Sequence, residues 1–218
     1  MRWIVLVVLM LWCSITPANA QEKVRDLPFT KNDVDKVPAG WKAERTGKGE
    51  GSVWKVVKDD TAPSKRGFVL AQTAAGPSSL FNLCVAENTN FKDVEVIVAF
   101  KANHGKKDQG GGIVWRYQDA NNYYVARMNP LEDNFRVYKV VAGKRSAEFQ
   151  DTEVKIPAGE WHTLKIKMVG DHIECFLDGK KHLDVKDHSI TTTGKVGLWT
   201  KADAQTAFDQ FRVRNLGK

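Results

Sequence analysis

Apolar and polar residues alternate with a period of two along most of the chain from Trp41 onward. The run Val94–Phe100 shows it most clearly, with valine at positions 94, 96 and 98. Successive side chains of a strand point to opposite faces, so this period predicts half-buried β-strands. Residues 162–177 contain two such runs around Gly170 and Asp171, and they predict a β-hairpin. Similar short runs predict further strands at Trp54–Val57, Phe68–Gln72, Leu80–Val85, Gly112–Tyr117, Tyr123–Met128, Phe135–Val141, Lys195–Thr200 and Ala207–Val213.

The fold class follows from the number and spacing of these strands. No window carries a sustained apolar repeat at helical spacing. Many short strands separated by Gly, Asn and Asp turns predict an all-β sandwich of two antiparallel sheets. We expect one such domain over residues 41–218, with residues 21–40 as an extended segment across it. The Gly-rich stretch His104–Gly112 is predicted to be a mobile rim loop.

The first twenty residues have a different pattern. Met1 and Arg2 give a positive start, an apolar run extends from Trp3 to Trp12, and Ala18-Asn19-Ala20 follows. This order predicts a secretory signal peptide that is cleaved after residue 20. The apolar run is too short to cross about 30 Å of hydrocarbon. We therefore expect an exported protein, periplasmic or secreted, with no membrane span in the mature chain.

Composition and charge narrow the classes of partner. Apolar residues make up 42% of the 218 residues and aromatic residues 10%, which excludes a disordered chain. Lys and Arg total 33 against 26 acidic residues, a net charge of +7. The basic residues are dispersed, with Lys-Lys pairs at Lys106–Lys107 and Lys180–Lys181 and no run of five. Nucleic-acid binding requires a concentrated basic face, so we expect no nucleic-acid partner. The oligomeric state stays open.

Cysteine and histidine placement leaves the disulfide and metal questions open. Cys84 and Cys175 are the two cysteines beyond the signal, enough for one disulfide in an oxidising compartment. Sequence gives no Cα separation, so free thiols remain an equal alternative. The histidines lack metal-ligand spacing on any one element. No cofactor is implied with certainty. A divalent metal, either calcium or a transition metal, stays open with Asp209 as a candidate ligand.

Three stretches resemble the 3-keto-disaccharide hydrolase family. They are Gly110–Arg145, Trp161–Leu164 with the turn Leu177–Lys180, and Gly194–Val213. The resemblance extends from about Phe29 to the end and implies a concanavalin A-like jelly roll that acts on keto-sugars. The family more often has an acidic residue at the position of Gln210, which puts any metal held there in doubt.

The implied reaction requires a base and positive charge. A ketone at carbon 3 of a glycoside acidifies the hydrogen at carbon 2, a base removes it, and the enolate expels the oxygen at carbon 1. Water then adds across the double bond. Glu132 is the candidate base, and Arg116 or Arg127 is the candidate to stabilise the enolate. Arg116, Arg127 and Arg136 can line one surface if their strands are neighbours. The candidate substrate-binding residues are Tyr124, Asn129, Asn134, Arg136, Tyr138, Trp199 and Lys201.

Two other carbohydrate functions share this fold. A lectin-like module that binds glycans through the same Arg, Tyr and Trp residues, without catalysis, remains the alternative. An ordinary retaining glycosidase requires two carboxylates facing each other across the glycosidic bond. The nearest match is Asp93-Val94-Glu95, which does not continue into the acidic pattern of such enzymes, so this activity is excluded.

Overall fold

The computed structural model describes residues 24–147 and 149–217. The predicted signal peptide lies outside these residues. Within them, sixteen strands and one short 3₁₀ helix at Lys31–Asp33 make up the regular structure. The strands are β1 Arg25–Asp26, β2 Trp41–Thr46, β3 Trp54–Lys58, β4 Phe68–Gln72, β5 Phe81–Phe91, β6 Val94–His104, β7 Gly111–Asp119, β8 Asn122–Asn129, β9 Asn134–Val141, β10 Lys144–Arg145, β11 Gln150–Glu153, β12 Trp161–Val169, β13 His172–Leu177, β14 Lys180–Lys186, β15 Gly194–Lys201 and β16 Gln205–Asn215.

The strands form two antiparallel sheets that pack as a jelly-roll sandwich, which confirms the predicted fold class. Sheet 1 has the order β14-β13-β12-β6-β16-β4-β3, and β1 is also paired with β16. Sheet 2 has the order β10-β9-β8-β7-β15-β5-β2, with β11 on β9. The predicted hairpin is β12–β13, in which Leu164 pairs with Leu177 and Met168 with Ile173. No helix in residues 24–147 or 149–217 has the length and apolarity to cross a membrane.

The main core lies between the sheets and follows from the alternation. Alternate residues of β6, Val94, Val96, Val98 and Phe100, are buried there. They pack with apolar side chains of the neighbouring strand β12 and with those of β7 and β8 in the facing sheet. Phe29 joins this core from the N-terminal segment. Burial of each large apolar side chain contributes about 1.5–3 kcal/mol, so this face largely fixes the register of both sheets.

Both cysteines of the described chain lie in the same core. Cys84 of β5 and Cys175 of β13 are fully buried and are free thiols. Removal from water raises the pKa of each thiol. The structure therefore shows no disulfide between them.

Sheet 2 carries a second apolar cluster on the face turned away from sheet 1. This face is concave, because residues on distant strands of the sheet meet across it. The Thr46 hydroxyl of β2 lies 2.8 Å from the Tyr123 hydroxyl of β8. The Arg145 guanidinium lies 5.5 Å from the Phe81 ring and 4.3 Å from the Tyr138 ring. The cluster comprises Phe81, Leu83, Val85, Val114, Tyr117, Tyr123, Val125, Tyr138, Val140 and Trp199.

A β-bulge in β7 decides which side chains reach the concave face. Trp115 pairs with Tyr124, but the next pairing is Asp119 with Asn122, so β7 contains extra residues. Arg116 sits in the bulge with φ +45°. Trp115 enters the core between the sheets, whereas Tyr117 enters the cluster on the concave face. Regular alternation would have put both rings on one face, and the bulge reverses this for Tyr117.

Candidate functional site

Polar side chains of β8 and β9 meet on the concave face. The Arg127 guanidinium donates to Asn134 Oδ1 at 2.5 Å and to Glu132 Oε2 at 2.7 Å. Arg127 and Asn134 are held on adjacent strands, and Glu132 lies in the turn that joins them. Arg127 is 2% exposed, whereas the Glu132 side chain is 36% exposed. The arrangement fixes a buried cation beside a carboxylate that solvent or a ligand can reach.

A second arginine extends this group. Arg136 pairs with Arg127 across β8 and β9, and it forms an ion pair with Asp151 of β11 at 2.8 Å. Its Nη1 lies 3.8 Å from Glu132 Oε2. The hydrogen bond that Arg136 donates to Asp151 raises the pKa of Arg136. We call Arg127, Glu132, Asn134, Arg136 and Asp151 the arginine–carboxylate cluster.

The charge on Glu132 is set by two opposing effects. Partial burial raises the pKa of Glu132, but the hydrogen bond and charge of Arg127 outweigh burial and leave it below its ordinary value. Asn134 adds a further hydrogen bond to the same oxygen at 3.3 Å. Glu132 is therefore ionised at neutral pH and can accept a proton, although its basicity is reduced.

A buried carboxylate borders the cluster on its β15 side. Asp108 is 1% exposed, and it accepts hydrogen bonds from Lys201 at 3.1 Å and Asn129 at 3.2 Å. Burial raises the pKa of Asp108, with partial opposition from Arg127 and Lys201. The loop that carries it is anchored by Asp203, which accepts the backbone N–H groups of residues 106–108.

Unpaired polar atoms surround the cluster. Arg127 Nε, Arg136 Nε, the Tyr138 hydroxyl, Arg145 Nη1 and Trp199 Nε1 are buried without a hydrogen-bond partner. Buried polar groups are nearly always paired in folded proteins, so each such atom requires a reason. Four of the five are obligatory donors, and a ligand rich in acceptor oxygens would match them.

A glycine at position 112 allows the strands that carry Trp199 and Arg127 to pack closely. Gly112 of β7 lies between Trp199 and Arg127 in the register of sheet 2. A Cβ at this position would lie 2.5 Å from the Ala126 carbonyl oxygen and 3.0 Å from the Arg127 Cβ. Gly111 and Gly112, at the end of the predicted rim loop His104–Gly112, are thus the first residues of the buried strand β7.

The structure separates Arg116 from the other two arginines. Its buried guanidinium donates to the carbonyl oxygens of Lys92 at 2.9 Å, Ile190 at 2.7 Å and Gly170 at 2.6 Å. These carbonyls come from three loops at one end of the sandwich. The prediction that Arg116 lines the same surface as Arg127 is wrong because the bulge turns its side chain to these loops.

Tyr124 also lies away from the cluster. It stacks on Trp115 in the core, with ring centroids 5.6 Å apart. Its hydroxyl donates to Asp187 at 2.5 Å and accepts from the Ile190 N–H at 3.0 Å. The other candidates for substrate binding lie at or beside the cluster: Asn129, Asn134, Arg136, Tyr138, Trp199 and Lys201.

Asp209 has a local structural task. It is 1% exposed, and its two oxygens accept the N–H groups of Ser64 and Gln210, each at 2.8 Å. Gln210 has φ +52° at an irregularity in β16. Asp209 thereby fastens the loop containing Ser64 to this bulge.

Among the described residues, one group has the ligand types for a metal ion. His172, Glu174 and Asp184 bring their ligand atoms within 4.8 Å of one another on sheet 1. Lys181 contacts Glu174 at 3.2 Å and Asp184 at 2.6 Å, and Lys167 also contacts Glu174 at 3.2 Å. Two ammonium groups thus already neutralise the carboxylates, and these residues fit an ion-pair network better than a metal site.

Several members of the site are absent from the sequence-based candidates. Asp108, Asp151 and Arg145 reach it from the β6–β7 loop, β11 and β10. The register of β11 on β9 puts Asp151 opposite Arg136, and this pairing has no local signal in the sequence. Asp108 lies in the predicted rim loop, where nothing in the sequence distinguishes it from an exposed acid.

Known structures share this sandwich. The carbohydrate-binding module CBM66 from Bacillus subtilis matches with a TM-score of 0.65 and 18% identity, covering 86% of this chain and 100% of that one. A Bacillus subtilis protein of unknown function with a galectin-like fold has a TM-score of 0.55 and 12% identity, covering 80% and 89%. The GH43 BlXynB protein from Bacillus licheniformis has a TM-score of 0.57 and 17% identity, covering 86% and 39%. At these identities the likeness shows the fold alone, a jelly roll found in carbohydrate-binding and glycosyl hydrolase structures.

The amino-acid sequence assigns the chain to a protein family. Residues 32–214 match the 3-keto-alpha-glucoside-1,2-lyase-like domain, and the chain belongs to that family. The match contains every residue of the arginine–carboxylate cluster. No curated protein matches the chain significantly.

Proposed function

We propose that this protein cleaves 3-keto-glycosides by elimination followed by hydration, at the arginine–carboxylate cluster. The observation that carries the proposal is the reachable Glu132 carboxylate held 2.7 Å from the buried Arg127 guanidinium. Membership of the lyase-like family supports the reaction class. We also propose that the protein acts after export, which rests on the signal-like pattern of residues 1–20.

The reaction divides between a base and the cations around it. Glu132 takes the proton from carbon 2 of the keto-sugar, and the electron pair delocalises onto the oxygen at carbon 3 as an enolate. When the carbonyl re-forms, the electrons make a double bond between carbons 1 and 2 and the glycosidic oxygen leaves, taking a proton. Water then adds its hydroxyl to carbon 1 and its hydrogen to carbon 2. Arg127 and Arg136 supply fixed positive charge for the enolate oxygen.

The lowered pKa of Glu132 fits this scheme only together with the arginines. A weaker base removes a carbon-bound proton less readily, so the base alone gives little acceleration. The same two guanidinium groups stabilise the enolate, which makes the proton at carbon 2 more acidic. Charge that develops on the substrate is thus met by groups already in place.

A second candidate function is glycan binding without catalysis. The partnerless buried donors around Trp199 and Tyr138 favour it, since they suit sugar oxygens whether or not a reaction follows. The fold shared with the module CBM66 supports this alternative only at the level of architecture.

The two functions are separated by measuring nitrophenol release from a nitrophenyl 3-keto-glucoside, with the ordinary nitrophenyl glucoside as substrate control. We expect release from the keto-sugar alone. Glu132→Gln should lower the rate at least about 100-fold, the usual contribution of a general base. Glu160→Gln changes an exposed carboxylate in the loop between β11 and β12 that makes no contact with the cluster's ion pairs, and it should leave the rate unchanged. Parallel assays with a chelator test a metal requirement. No release from either sugar, with or without divalent metal, would refute cleavage and leave glycan binding as the function.

A further inference from the structure

A second groove opens on the concave face, toward the opposite end of the strands from the arginine–carboxylate cluster. Strand β15 shows where the groove lies: Lys195 at one end of the strand lines the groove, and Lys201 at the other end contacts Asp108 beside the cluster. These two lysines are six positions apart along an extended strand, which corresponds to about 20 Å. The side chains that define the groove are Lys42, Glu44, Glu87, Tyr117, Asp119 and Lys195.

Tyr117 forms the buried wall of the groove. The bulge at Arg116 places its ring on the concave face, where it stacks on Tyr123 with centroids 6.1 Å apart. Tyr117 is only 7% exposed, and its hydroxyl is not one of the buried polar atoms that lack a partner, so it opens toward the groove that the residue lines. Burial, followed by the nearby carboxylates, raises the pKa of Tyr117, so the phenol stays protonated and can donate. A phenol hydroxyl that opens into a groove offers both a donor and an acceptor to a polar ligand.

The charges around the groove select against ions of either sign. The groove is lined by three carboxylates, those of Glu44, Glu87 and Asp119, and by two ammonium groups, those of Lys42 and Lys195, and Lys42 forms an ion pair with Glu44 at 2.5 Å. A bound anion would be repelled by the carboxylates, and a bound cation would be repelled by the lysines. A neutral polyhydroxyl ligand can donate to the former and accept from the latter, and the Tyr117 hydroxyl can serve either purpose.

We propose that this groove binds neutral, unoxidised sugar units of a saccharide, at a distance from the bond that is cleaved. The inference rests on the proposed function for the class of ligand, and it adds a second subsite on the same face. The groove lies at the far end of β15 from Lys201, so it holds units more than one ring away from the cluster. It would favour longer saccharides over monosaccharides.

The test is isothermal titration of the protein with unoxidised glucose tetrasaccharides, one α-linked and one β-linked. We expect binding of at least one of them. Tyr117→Phe, which removes only the hydroxyl, and Glu87→Gln should each weaken it about fivefold, the effect of losing one hydrogen bond. Glu160→Gln is the control for Glu87→Gln and should bind like the unchanged protein.

The outcomes separate this inference from the cleavage proposal. The probes lack a ketone, so binding is measured independently of any reaction. Absence of binding, unchanged affinity in the Tyr117→Phe and Glu87→Gln variants, or an equal loss of affinity in Glu160→Gln would each overturn the groove as the subsite. Thermal unfolding of every variant identifies one that binds poorly because it is misfolded, and Glu87→Gln, on an exposed residue, keeps the test valid if Tyr117→Phe is unstable.

Discussion

Replacement of Arg116 by methionine tests whether this arginine holds the fold or takes part in the reaction. Its guanidinium joins three loops through the carbonyl oxygens of Lys92, Ile190 and Gly170. Asp93 lies 3.5 Å from the same group. Methionine fills part of the volume but offers no donor, so all three hydrogen bonds are lost.

The expected loss can be worked from these contacts. A hydrogen bond from a charged donor contributes about 1.5–3 kcal/mol, so three give at least about 4.5 kcal/mol. Lys92 and Gly170 are exposed residues, and water can replace part of their bonds in the variant. Ile190 is buried, and its carbonyl oxygen would be left without a partner. We therefore expect the free energy of unfolding to fall by about 3 kcal/mol.

Urea unfolding followed by tryptophan fluorescence measures this change. Arg66→Met is the matched control, because Arg66 forms an exposed ion pair with Asp26 at 2.7 Å, and it should alter stability by less than about 1 kcal/mol. Below its unfolding transition, Arg116→Met should cleave a keto-glycoside at nearly the normal rate. A variant that is as stable as the unchanged protein but inactive would refute the structural role of Arg116.

Three further predictions concern other parts of the molecule. Burial raises the pKa of Asp187, but hydrogen bonds, first that from Tyr124, outweigh burial and hold this pKa at about 2. Ionised Asp187 should therefore contribute about 2 kcal/mol to the free energy of unfolding above pH 4, and this contribution should disappear as the pH falls toward 2. Asp187→Asn should flatten that part of the stability profile measured by urea unfolding. Cys84 and Cys175 should react with a thiol reagent only after denaturation, and a denatured non-reduced sample without free thiols would contradict this. Thr46→Val removes the hydroxyl that joins two distant strands of sheet 2 and should lower the thermal midpoint, with an unfolding free energy smaller by about 1–2 kcal/mol.

Regular alternation predicts much of the cluster. Arg127 and Asn129 have the same parity along β8, and Asn134, Arg136 and Tyr138 have the same parity along β9. Because β8 and β9 are joined by a short turn, their pairing follows from the sequence, and so does the meeting of these side chains on one face. Tyr124 has the opposite parity to Arg127, so alternation itself would place it in the core.

Departures from regular pairing lie beyond sequence analysis. The bulge at Arg116 exchanges the faces of the residues that follow it, yet no Gly or Pro marks the position. Arg116 adopts a positive φ because its buried side chain is held by three carbonyl groups that are remote in the chain. Tertiary contacts thus determine the local conformation, and no local signal could have revealed it.

Curvature of sheet 2 joins these observations into one account of the concave face. β15 lies between β7 and β5, which brings Lys201 to the β6–β7 loop and supplies the partner of the buried Asp108. The same curvature closes aromatic rings around Arg145 and divides the face into the arginine–carboxylate cluster and the groove at Tyr117. Most of the unpaired donors at the arginine–carboxylate cluster belong to arginines, whereas both lysines and carboxylates line the groove at Tyr117. A keto-sugar that develops negative charge suits the first site, and unreacted sugar units suit the second, so a saccharide oxidised at one unit would find both chemistries on one surface.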